Sequence, residues 1–567
     1  MLFTIKSKPS IRAIALFLSI IPTIIHAQQN TAPPNSSRIA IKILGINDFH
    51  GQISSGRFVK DEPVGGAAVL AAYLKHAQLG MEDKTIITIM GDQIGASPPS
   101  SGLLKDEPSI LFTNSLGNQY CSTEERMNPR CNLVATIGNH EFDKGQNALF
   151  DLIYGTDNPP VEHWIALPHY PGATYPYISA NIIDVKTQKP LFPPYIIKML
   201  DDIPVAFIGA VLKKAADSML PEHAKGIEFL DEAATINQYI PEIKAKGAKI
   251  IIVLIHEGGN QTPYEGQTRI NTKVEGSIKE IVNELDDDID VVMGGHTHQF
   301  INAFLPNRNG INILVTQANS YSASFAEVTL EVDPKSHKVM QKTAKIITTF
   351  ANHWPGTEPD KQTQELVQLA ENKVNHQINR SIGTLAHDLL RAANDDGESN
   401  LGNLVADAFR SAMNADIGLT NPHSLRDDMK SGTVTWGNVY SMLPFSNIIV
   451  TVSLTGQDLY ELLEQQWMGT YDNMLHISGI TYTYDSSKPL GNKISIIMHE
   501  SKPLIKNKIY SVATNNFLAA GNGVFSVMKR GAITRIGQND HEAIIEYIQK
   551  LPQPFTAAIE GRIRQEG

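Results

Sequence analysis

The chain has 567 residues, of which 42% are hydrophobic and 19% are charged, and its formal net charge is −11. This length exceeds what a single hydrophobic core supports, so two large domains are expected. The composition is that of a globular protein and gives no sign of a long disordered region. The negative charge argues against nucleic-acid binding, and no nucleic-acid partner is expected.

The N-terminus has the pattern of a secretory signal peptide. Lys6, Lys8 and Arg12 precede an apolar run over residues 13–25, which is followed by His26 and Ala27. This pattern predicts a signal peptide over residues 1–27, cleaved near Ala27, and hence a periplasmic or secreted protein. A membrane anchor is the alternative. The run is shorter than the ~20 residues that a membrane span needs, so no stable anchor is expected.

Short apolar runs within residues 38–350 predict the strands of an α/β domain. Five of them run into polar clusters: residues 39–46, 85–90, 132–136, 250–255 and 289–293. Another buried strand is predicted at residues 205–211, and alternating runs at 312–318 and 325–332 predict antiparallel strands that close the domain. Residues 65–78 are rich in alanine at helical spacing, which predicts a packed helix without a chemical role.

The remaining segments predict a linker and a second domain. Residues 358–380 are charged, with apolar residues at helical spacing, and predict a linker helix. Residues 381–567 predict a second α/β domain. In the first domain, Cys121 and Cys131 lie ten residues apart in a polar segment. In an exported protein they predict a local disulfide, with a metal-binding pair or two free thiols as alternatives.

The polar clusters at the strand ends offer seven groups that bind metals: Asp48, His50, Asp92, Asn139, His256, His296 and His298. The carboxyl ends of parallel strands are where α/β proteins build their sites. Carboxylate, amide and imidazole groups without thiolate suit Zn²⁺ or Mn²⁺, and seven groups fit two ions that share one carboxylate. A single cluster would be interpreted as a hydrogen-bonded loop, but five in succession predict a site for two divalent metal ions.

The motifs Asn47-Asp-Phe-His-Gly51, Gly91-Asp92, Gly138-Asn-His-Glu-Phe-Asp143, His256 and Gly295-His-Thr-His298 resemble those of the calcineurin-like metallophosphoesterases. More narrowly, they resemble the secreted 5′-nucleotidase family, which includes bacterial enzymes that also cleave UDP-sugars. The resemblance implies a four-layer α/β/β/α N-terminal metallophosphoesterase domain, a linker helix and a C-terminal α/β nucleotide-binding domain.

The resemblance also implies how the site is divided. One ion is expected on Asp48, His50, Asp92 and His298, and the other on Asp92, Asn139, His256 and His296, with Asp92 bridging. His140, held in one tautomer by Asp143, is expected to stabilise developing charge or to protonate the leaving oxygen. The attacking group is expected to be a hydroxide that bridges the two ions.

In the C-terminal domain, residues 398–407 resemble the motif that opens this domain in the family. The implied substrate-binding residues are Asn421, Arg426, Phe445 and Phe517, the last two being the rings that sandwich the base. Without the resemblance, both phenylalanines would be interpreted as core residues.

The chain departs from the family's pattern in three places. Pro422 to Leu425 read Pro-His-Ser-Leu where the family usually reads Gly-Gly-Gly-Ile, Asp395 stands where an arginine is expected, and Gly523 replaces an acidic residue that commonly contacts ribose. Arg391 is a candidate substitute for the missing arginine, with a solvated surface residue as the alternative.

The predicted activity is therefore release of phosphate from nucleoside 5′-phosphates by a secreted enzyme with two divalent ions. The alternatives are hydrolysis of a UDP-sugar diphosphate, a 2′,3′-cyclic nucleotide or another phosphate ester, and a non-catalytic surface protein that binds nucleotide.

Overall fold

A computed structural model describes residues 38–156, 164–165, 169–270, 272–469 and 472–566. The predicted signal peptide and its cleavage site at Ala27 lie outside these residues. Within them, no helix combines the length and the apolar character that a membrane crossing requires.

Two β-sheets form the centre of the N-terminal domain. The first has the strand order Val339–Thr348, Ser324–Val332, Ile39–Ile46, Thr85–Met90, Leu133–Thr136 and Tyr177–Ile178. The second has the order Arg269–Ile270, Phe300–Pro306, Asn312–Ala318, Val291–Met293, Ile250–His256, Ile203–Val211 and Tyr195–Leu200. Strands that end in a polar cluster are parallel to each other wherever two of them are adjacent in a sheet. Their carboxyl ends therefore meet at one edge of each sheet.

The sheets pack face to face, with helices on both outer faces. One buried cluster joins Ile43 and Val134 of the first sheet to Phe207 and Ile252 of the second. The first sheet is covered by Ala67–Gln78, Glu107–Asn114 and Gln146–Tyr154, and the second by Glu232–Ala245 and Ser277–Glu284. The predicted four-layer α/β/β/α architecture is thereby confirmed.

The predicted strands agree with the observed ones to within two residues at each end. One expectation needs correction, because the runs at 312–318 and 325–332 belong to different sheets. Asn312–Ala318 is antiparallel to Phe300–Pro306 but parallel to Val291–Met293. Only Ser324–Val332 is antiparallel to both of its neighbours. Alternation shows that one face of a strand is buried, but it does not identify the strand's partner.

Shorter elements complete this domain. Arg57–Val59 and Glu62–Val64 pair as a hairpin, which we call the Arg57 hairpin. The other short elements are Pro99–Gly102, Ile182–Asp184, Lys189–Pro190, Ile227–Phe229, Asn260–Gln261 and Val274–Glu275.

Cys121 and Cys131 form the predicted disulfide. The loop that they close packs on the edge strand Tyr195–Leu200, where the fully buried Lys198 donates from Nζ to the Asn128 carbonyl at 3.1 Å. Burial lowers the pKa of Lys198 to about 7.

A helix, Lys361–Ile378, lies within the predicted linker range. The Asp360 side chain caps it by accepting the Thr363 N–H at 2.9 Å. Ala370 and Val374 are buried in the same cluster as the outer helices of the N-terminal domain, so this helix packs on that domain along its length. The domain limits 38–350, 358–380 and 381–567 stay predictions.

The C-terminal domain contains a five-stranded sheet with the order His476–Ser478, Ile417–Thr420, Ile509–Asn515, Ile448–Thr455 and Ala532–Asn539. A four-stranded sheet has the order Lys502–Pro503, Ile494–His499, Ile480–Tyr484 and Ile563–Gln565, and Ser381–Leu385 pairs with Gly432–Thr435. The helices are Asn400–Met413, Trp436–Met442, Gly456–Glu464, Asn516–Ala519 and Asp540–Lys550.

The motif that opens this domain ties it together internally. Buried Glu398 accepts hydrogen bonds from the Asn403 amide and from the backbone N–H groups of Glu560 and Arg562. Asp407 forms two 2.8 Å bonds with the Arg562 guanidinium. These contacts give the motif a structural role.

Candidate metal centre

All seven predicted ligand residues lie at the carboxyl edge of the two sheets. Three groups of possible ligand atoms lie within 4.8 Å of one another: Asp48, His50 and His298; His50, Asp92 and His140; and Asp92, His256 and His296. The structure thus brings together residues that are up to 250 positions apart (298 minus 48). Their assignment as ligands stays a prediction.

Asp92 stands between two sets of side chains. Its Oδ2 lies 3.7 Å from His50 Nε2 and 3.0 Å from His256 Nε2. On one side, Asp48 Oδ1 lies 3.3 Å from His298 Nε2. This arrangement allows one carboxylate to serve two ions.

Asn139 closes the other side of the site. Its Oδ1 lies 3.1 Å from His296 Nδ1, and the backbone N–H of the next residue, His140, donates to Asp92 Oδ1 at 2.9 Å. The loop after Leu133–Thr136 therefore contributes one candidate ligand and orients another.

The backbone around the centre is strained. Five candidate ligands have positive φ: Asp48 (50°), His50 (47°), Asp92 (47°), His296 (71°) and His298 (53°). Each such residue costs on the order of 1–3 kcal/mol and persists only where its surroundings enforce it. Such strain concentrates at functional sites, and here it coincides with the predicted ligands.

Two glycines allow the ligand loops to approach each other. A Cβ on Gly138 would lie 2.3 Å from Asp92 Oδ1. A Cβ on Gly91, which has φ +75°, would lie 2.6 Å from the Gly138 nitrogen. Any larger residue would force these loops, and with them Asp92 and Asn139, apart.

The histidine donors fit divalent ions. Nδ1 of His256 donates to the Met90 carbonyl at 2.7 Å, and Nδ1 of His50 donates to the Gly95 carbonyl at 2.8 Å, so both rings direct Nε2 into the centre. Nε2 of His256 is buried without a hydrogen-bond partner, although Asp92 Oδ2 is only 3.0 Å away, because that oxygen is out of line. A cation between these atoms would satisfy both.

The charges in the centre follow from burial and from mutual contacts. Burial raises the pKa of Asp92, but His256 and His140 outweigh it and hold the pKa well below its ordinary value. Burial holds the pKa of His50 well below 6.5. Burial lowers the pKa of His256, but Asp92 and Asp48 outweigh it and raise the pKa to about 10, so a metal ion that binds this ring would displace a proton. Carboxylate and imidazole groups together are the donor combination that Zn²⁺ and Mn²⁺ accept.

Glu141, which lies between His140 and Asp143 in the motif after Leu133–Thr136, has a role that only the structure reveals. Its carboxylate accepts the backbone N–H groups of Asp92 (2.9 Å), Gln93 (2.8 Å) and Gly138 (2.6 Å). Burial and the Asp92 charge raise the pKa of Glu141 to about 7. Glu141 fixes two ligand loops against each other, and only its place between His140 and Asp143 could have suggested this.

His140 lies between the two domains. Its Nδ1 donates to Asp143 Oδ2 at 2.9 Å, and its Nε2 accepts from Arg426 Nη2 of the C-terminal domain at 2.9 Å. The His140 ring stacks on Phe445 with centroids 5.7 Å apart. Burial opposes protonation, but Asp143 and Asp92 outweigh it and raise the pKa of His140.

A cleft of about 1850 Å³ separates the domains and contains both parts of the predicted site. Its lining includes the candidate ligands Asp92, Asn139, His296 and His298 and the predicted substrate residues Asn421, Arg426, Phe445 and Phe517. Phe445 and Phe517, which are 72 positions apart, are both half-buried there. The structure therefore places both rings at the cleft surface, where the sequence alone would have placed them in the core.

Arg426 is a half-buried cation without an acidic partner among the described residues. Its Nε is buried and has no hydrogen-bond partner, and its guanidinium carbon lies 5.2 Å from the Phe445 ring centroid. No carboxylate among the described residues lies within 4 Å of its nitrogens. A half-buried guanidinium without an acidic partner at a cleft wall is suited to bind an anion.

Two of the three departures from the family's pattern, at residues 422–425 and at Gly523, contribute to the lining of the cleft. Arg391 is exposed and lines the cleft, so it is a surface residue that can also reach a ligand, and Asp395 is exposed. Gly523 has φ +64° and donates its N–H to the Asp217 carbonyl of the N-terminal domain at 2.8 Å. In place of the glycine run, His423 Nε2 contacts Asn473 Oδ1 at 2.9 Å.

Comparisons with known proteins agree with this architecture. Residues 41–300 match the family model of the calcineurin-like phosphoesterases, and residues 381–530 match that of the 5′-nucleotidase C-terminal domain. A 5′-nucleotidase precursor from Thermus thermophilus has the same fold, with a TM-score of 0.76 and 23% identity over 93% of this chain and 99% of that chain.

Two curated relatives are each 31% identical. Endonuclease YhcR of Bacillus subtilis is matched over 95% of this chain and 42% of its own length. Cell wall protein Lmo0130 of Listeria monocytogenes is matched over 94% of this chain and 70% of its own length. The chain thus spans less than half of the first relative and more than two thirds of the second. It belongs to the 5′-nucleotidase family of calcineurin-like metallophosphoesterases and is a metal-dependent phosphoric ester hydrolase.

Proposed function

We propose that this enzyme releases phosphate from nucleoside 5′-phosphates bound in the cleft between its domains. The observation that carries the proposal is Arg426, a half-buried cation without an acidic partner among the described residues, which contacts His140 at 2.9 Å beside the cluster of Asp and His side chains. An anion bound to Arg426 would lie next to that cluster. A phosphate monoester supplies such an anion.

Two divalent ions would be held by the predicted sets: Asp48, His50, Asp92 and His298 for one, and Asp92, Asn139, His256 and His296 for the other. When bound, such ions supply activated water at neutral pH and neutralise charge on the phosphoryl group. The donor set supports Zn²⁺ or Mn²⁺. Glu141, which accepts the N–H groups of Asp92 and Gly138, would hold the two ligand loops in a fixed relative position.

His140 would handle the proton at the leaving oxygen. Asp143 keeps Nδ1 protonated, so Nε2 is the nitrogen that faces the substrate. In the structure Arg426 donates to Nε2. A phosphoryl oxygen that pairs with Arg426 would release Nε2, which then carries a proton to the leaving oxygen or stabilises its charge.

The C-terminal domain would recognise the nucleoside loosely. A base between Phe445 and Phe517 gains on the order of 1–3 kcal/mol from stacking, whatever its identity. Gly523 has no side chain that accepts hydrogen bonds from ribose, and each such bond contributes roughly 1 kcal/mol net. We therefore propose a broad nucleotidase that discriminates ribonucleotides from deoxyribonucleotides less than about tenfold.

We also propose that the enzyme acts outside the cytoplasm. The signal pattern in residues 1–27, the disulfide between Cys121 and Cys131 and the similarity to a protein named as a cell wall protein support this location.

A substrate panel tests the proposed function. Phosphate release is measured for AMP, dAMP, UDP-glucose, 2′,3′-cyclic AMP and p-nitrophenyl phosphate, with Mn²⁺ or Zn²⁺ present. The highest kcat/KM is expected for AMP and dAMP, with less than a tenfold difference between them. A higher value for the cyclic nucleotide or for the aryl phosphate would contradict the proposal, and so would a strong preference for ribose.

A further inference from the structure

A second aromatic wall lies beside the metal centre in the same cleft. This wall consists of Tyr321 from the N-terminal domain together with Arg57 and Phe58 from the Arg57 hairpin, and all three line the cleft. The Tyr321 ring centroid lies 5.2 Å from that of His50 and 5.4 Å from that of His298. The wall therefore begins directly beside two candidate ligands of one ion.

Arg57 extends the wall outward from Tyr321. Its guanidinium carbon lies 4.3 Å from the Tyr321 ring centroid, and its Nε donates to Gln52 Oε1 at 3.1 Å. Phe58, the next residue, is 65% exposed although it is a large apolar side chain. The Arg57 guanidinium over the Tyr321 ring offers a stacking surface and hydrogen-bond donors, and Phe58 adds an exposed ring to the cleft lining.

The wall is held in place by the backbone. Tyr321 (φ 53°) and Ser322 (φ 59°) both adopt the left-handed conformation, and the Tyr321 N–H donates to the Asp48 carbonyl at 2.8 Å. Ser322 Oγ accepts the Gly66 N–H at 2.8 Å, next to the end of the Arg57 hairpin. The hairpin and the Tyr321 loop are thus fixed to each other and to a candidate ligand residue.

We propose that Tyr321, Arg57 and Phe58 form a subsite for the second organic group of a phosphodiester. This inference rests on the proposed function. A monoester carries one organic group, for which the Phe445 and Phe517 side of the cleft suffices. A diester carries a second group on the attacked phosphorus, and that group needs a separate space beside the metal centre.

The reaction at a diester would be hydrolysis of one ester bond. The water oxygen bonds to phosphorus while the bond between phosphorus and the leaving oxygen breaks. The bonding electrons stay on the leaving oxygen, which takes up one proton. The second organic group remains on the phosphate product, and this is the group that the subsite would hold.

The ion pair between Arg57 and Asp427 gives Arg57 an alternative role. Arg57 Nη1 lies 3.7 Å from Asp427 Oδ1 in the C-terminal domain, and the two side chains are 25% and 45% exposed. A pair this long and this exposed contributes little to stability, so it leaves the guanidinium available to a ligand. If Arg57 were only a contact between domains, removing either partner would have the same effect.

The test compares two substrates with the same leaving group, p-nitrophenyl phosphate and bis(p-nitrophenyl) phosphate, in the metal-loaded enzyme. In Arg57→Ala, the ratio of kcat/KM for the diester to kcat/KM for the monoester should fall about tenfold, and in Phe58→Ala it should fall severalfold. Asp427→Asn should keep the ratio within twofold of the parent. Lys60→Ala, which removes an exposed cation from the turn of the same hairpin, should also keep the ratio.

A binding measurement complements the kinetics. Calorimetry with dibenzylphosphinate and benzylphosphonate, which contain no hydrolysable ester, should show that Arg57→Ala weakens binding of the first about tenfold more than binding of the second. Equal losses for both compounds would overturn the subsite. So would an Asp427→Asn variant that behaves like Arg57→Ala.

The activity of the parent enzyme distinguishes failure of the subsite from failure of the proposed function. If it hydrolyses AMP but not the diester, the subsite is overturned while the proposed function stands. If it hydrolyses neither AMP nor the aryl esters with metal bound, the proposed function fails and this inference fails with it.

Discussion

The metal centre and the C-terminal wall of the cleft are built in different ways. In the metal centre, five candidate ligands have positive φ, and Asp48, His50, Asp92 and His256 are almost completely buried. In the C-terminal wall, Phe445 and Phe517 are half-buried and Arg391 is exposed. In the metal centre the backbone conformation positions the side chains, whereas the C-terminal wall depends on contacts between side chains.

The C-terminal wall is held together by hydrogen bonds that asparagine side chains make between distant segments. Asn515 Nδ2 donates to Asn421 Oδ1 at 3.2 Å, and Asn516 Oδ1 accepts the Ile448 N–H at 3.1 Å. Such contacts tolerate substitution better than a strained backbone does. This difference is consistent with the sequence of this chain. The glycines usual in the family are absent from residues 422–425, whereas every candidate metal ligand is present.

The largest expected effect is that of Asp92→Ala. Because one carboxylate is proposed to serve both ions, the variant should lose bound metal and at least ~10³-fold in kcat/KM, on the scale of several kcal/mol of charge stabilisation. Metal analysis and AMP hydrolysis measure the two losses together. Glu365→Ala, at an exposed position of the linker helix, is the control. Full metal occupancy in Asp92→Ala would refute the bridging assignment.

His140→Ala should separate chemistry from metal binding. Both ions should remain, because His140 is not among the proposed ligands, while kcat for AMP should fall roughly 10²-fold or more. The same two measurements apply. An unchanged kcat would show that His140 does not act at the leaving oxygen, and loss of metal equal to that in Asp92→Ala would make it a ligand.

Phe517→Ala should affect only the recognition side. Losing one stacking ring should raise KM for AMP by roughly 5- to 150-fold, which corresponds to about 1–3 kcal/mol. The kcat/KM for p-nitrophenyl phosphate, which has no base, should change much less. Equal losses for AMP and the aryl ester would show that Phe517 supports the whole cleft and does not bind the base.

An effect on stability, and not on activity, is expected outside both regions, at Lys198. The pKa of this buried lysine is lowered from 10.5 to about 7, so the parent's free energy of unfolding should rise with pH by up to ~1.4 kcal/mol per unit between about pH 7 and 10. Lys198→Met lacks this dependence. Its stability relative to the parent should therefore be higher at pH 6 than at pH 9.

Urea unfolding of both proteins at pH 6 and pH 9 measures this difference, since contributions from all other groups cancel. An identical difference at the two pH values would contradict the lowered pKa of Lys198.

The sequence predicted the site best where candidate ligand residues come directly after a strand. Asp92 comes two residues after Thr85–Met90, and Asn139 three residues after Leu133–Thr136, so apolar runs and polar clusters together located the centre. Tyr321 and Arg57 are 264 positions apart, and their contact depends on how a hairpin packs on a loop. No local pattern encodes such a pairing. The strand Phe300–Pro306 was likewise missed, because its partner decides its place in the sheet.

The measurement that tests the central claim most directly is metal reconstitution of the stripped enzyme. Chelated protein is titrated with Mn²⁺ or Zn²⁺ while bound metal and phosphate release from AMP are followed together. Activity should be absent without metal and should reach its plateau at two equivalents per chain. Full activity in the stripped protein, or two bound ions without phosphate release, would contradict a two-metal nucleotidase.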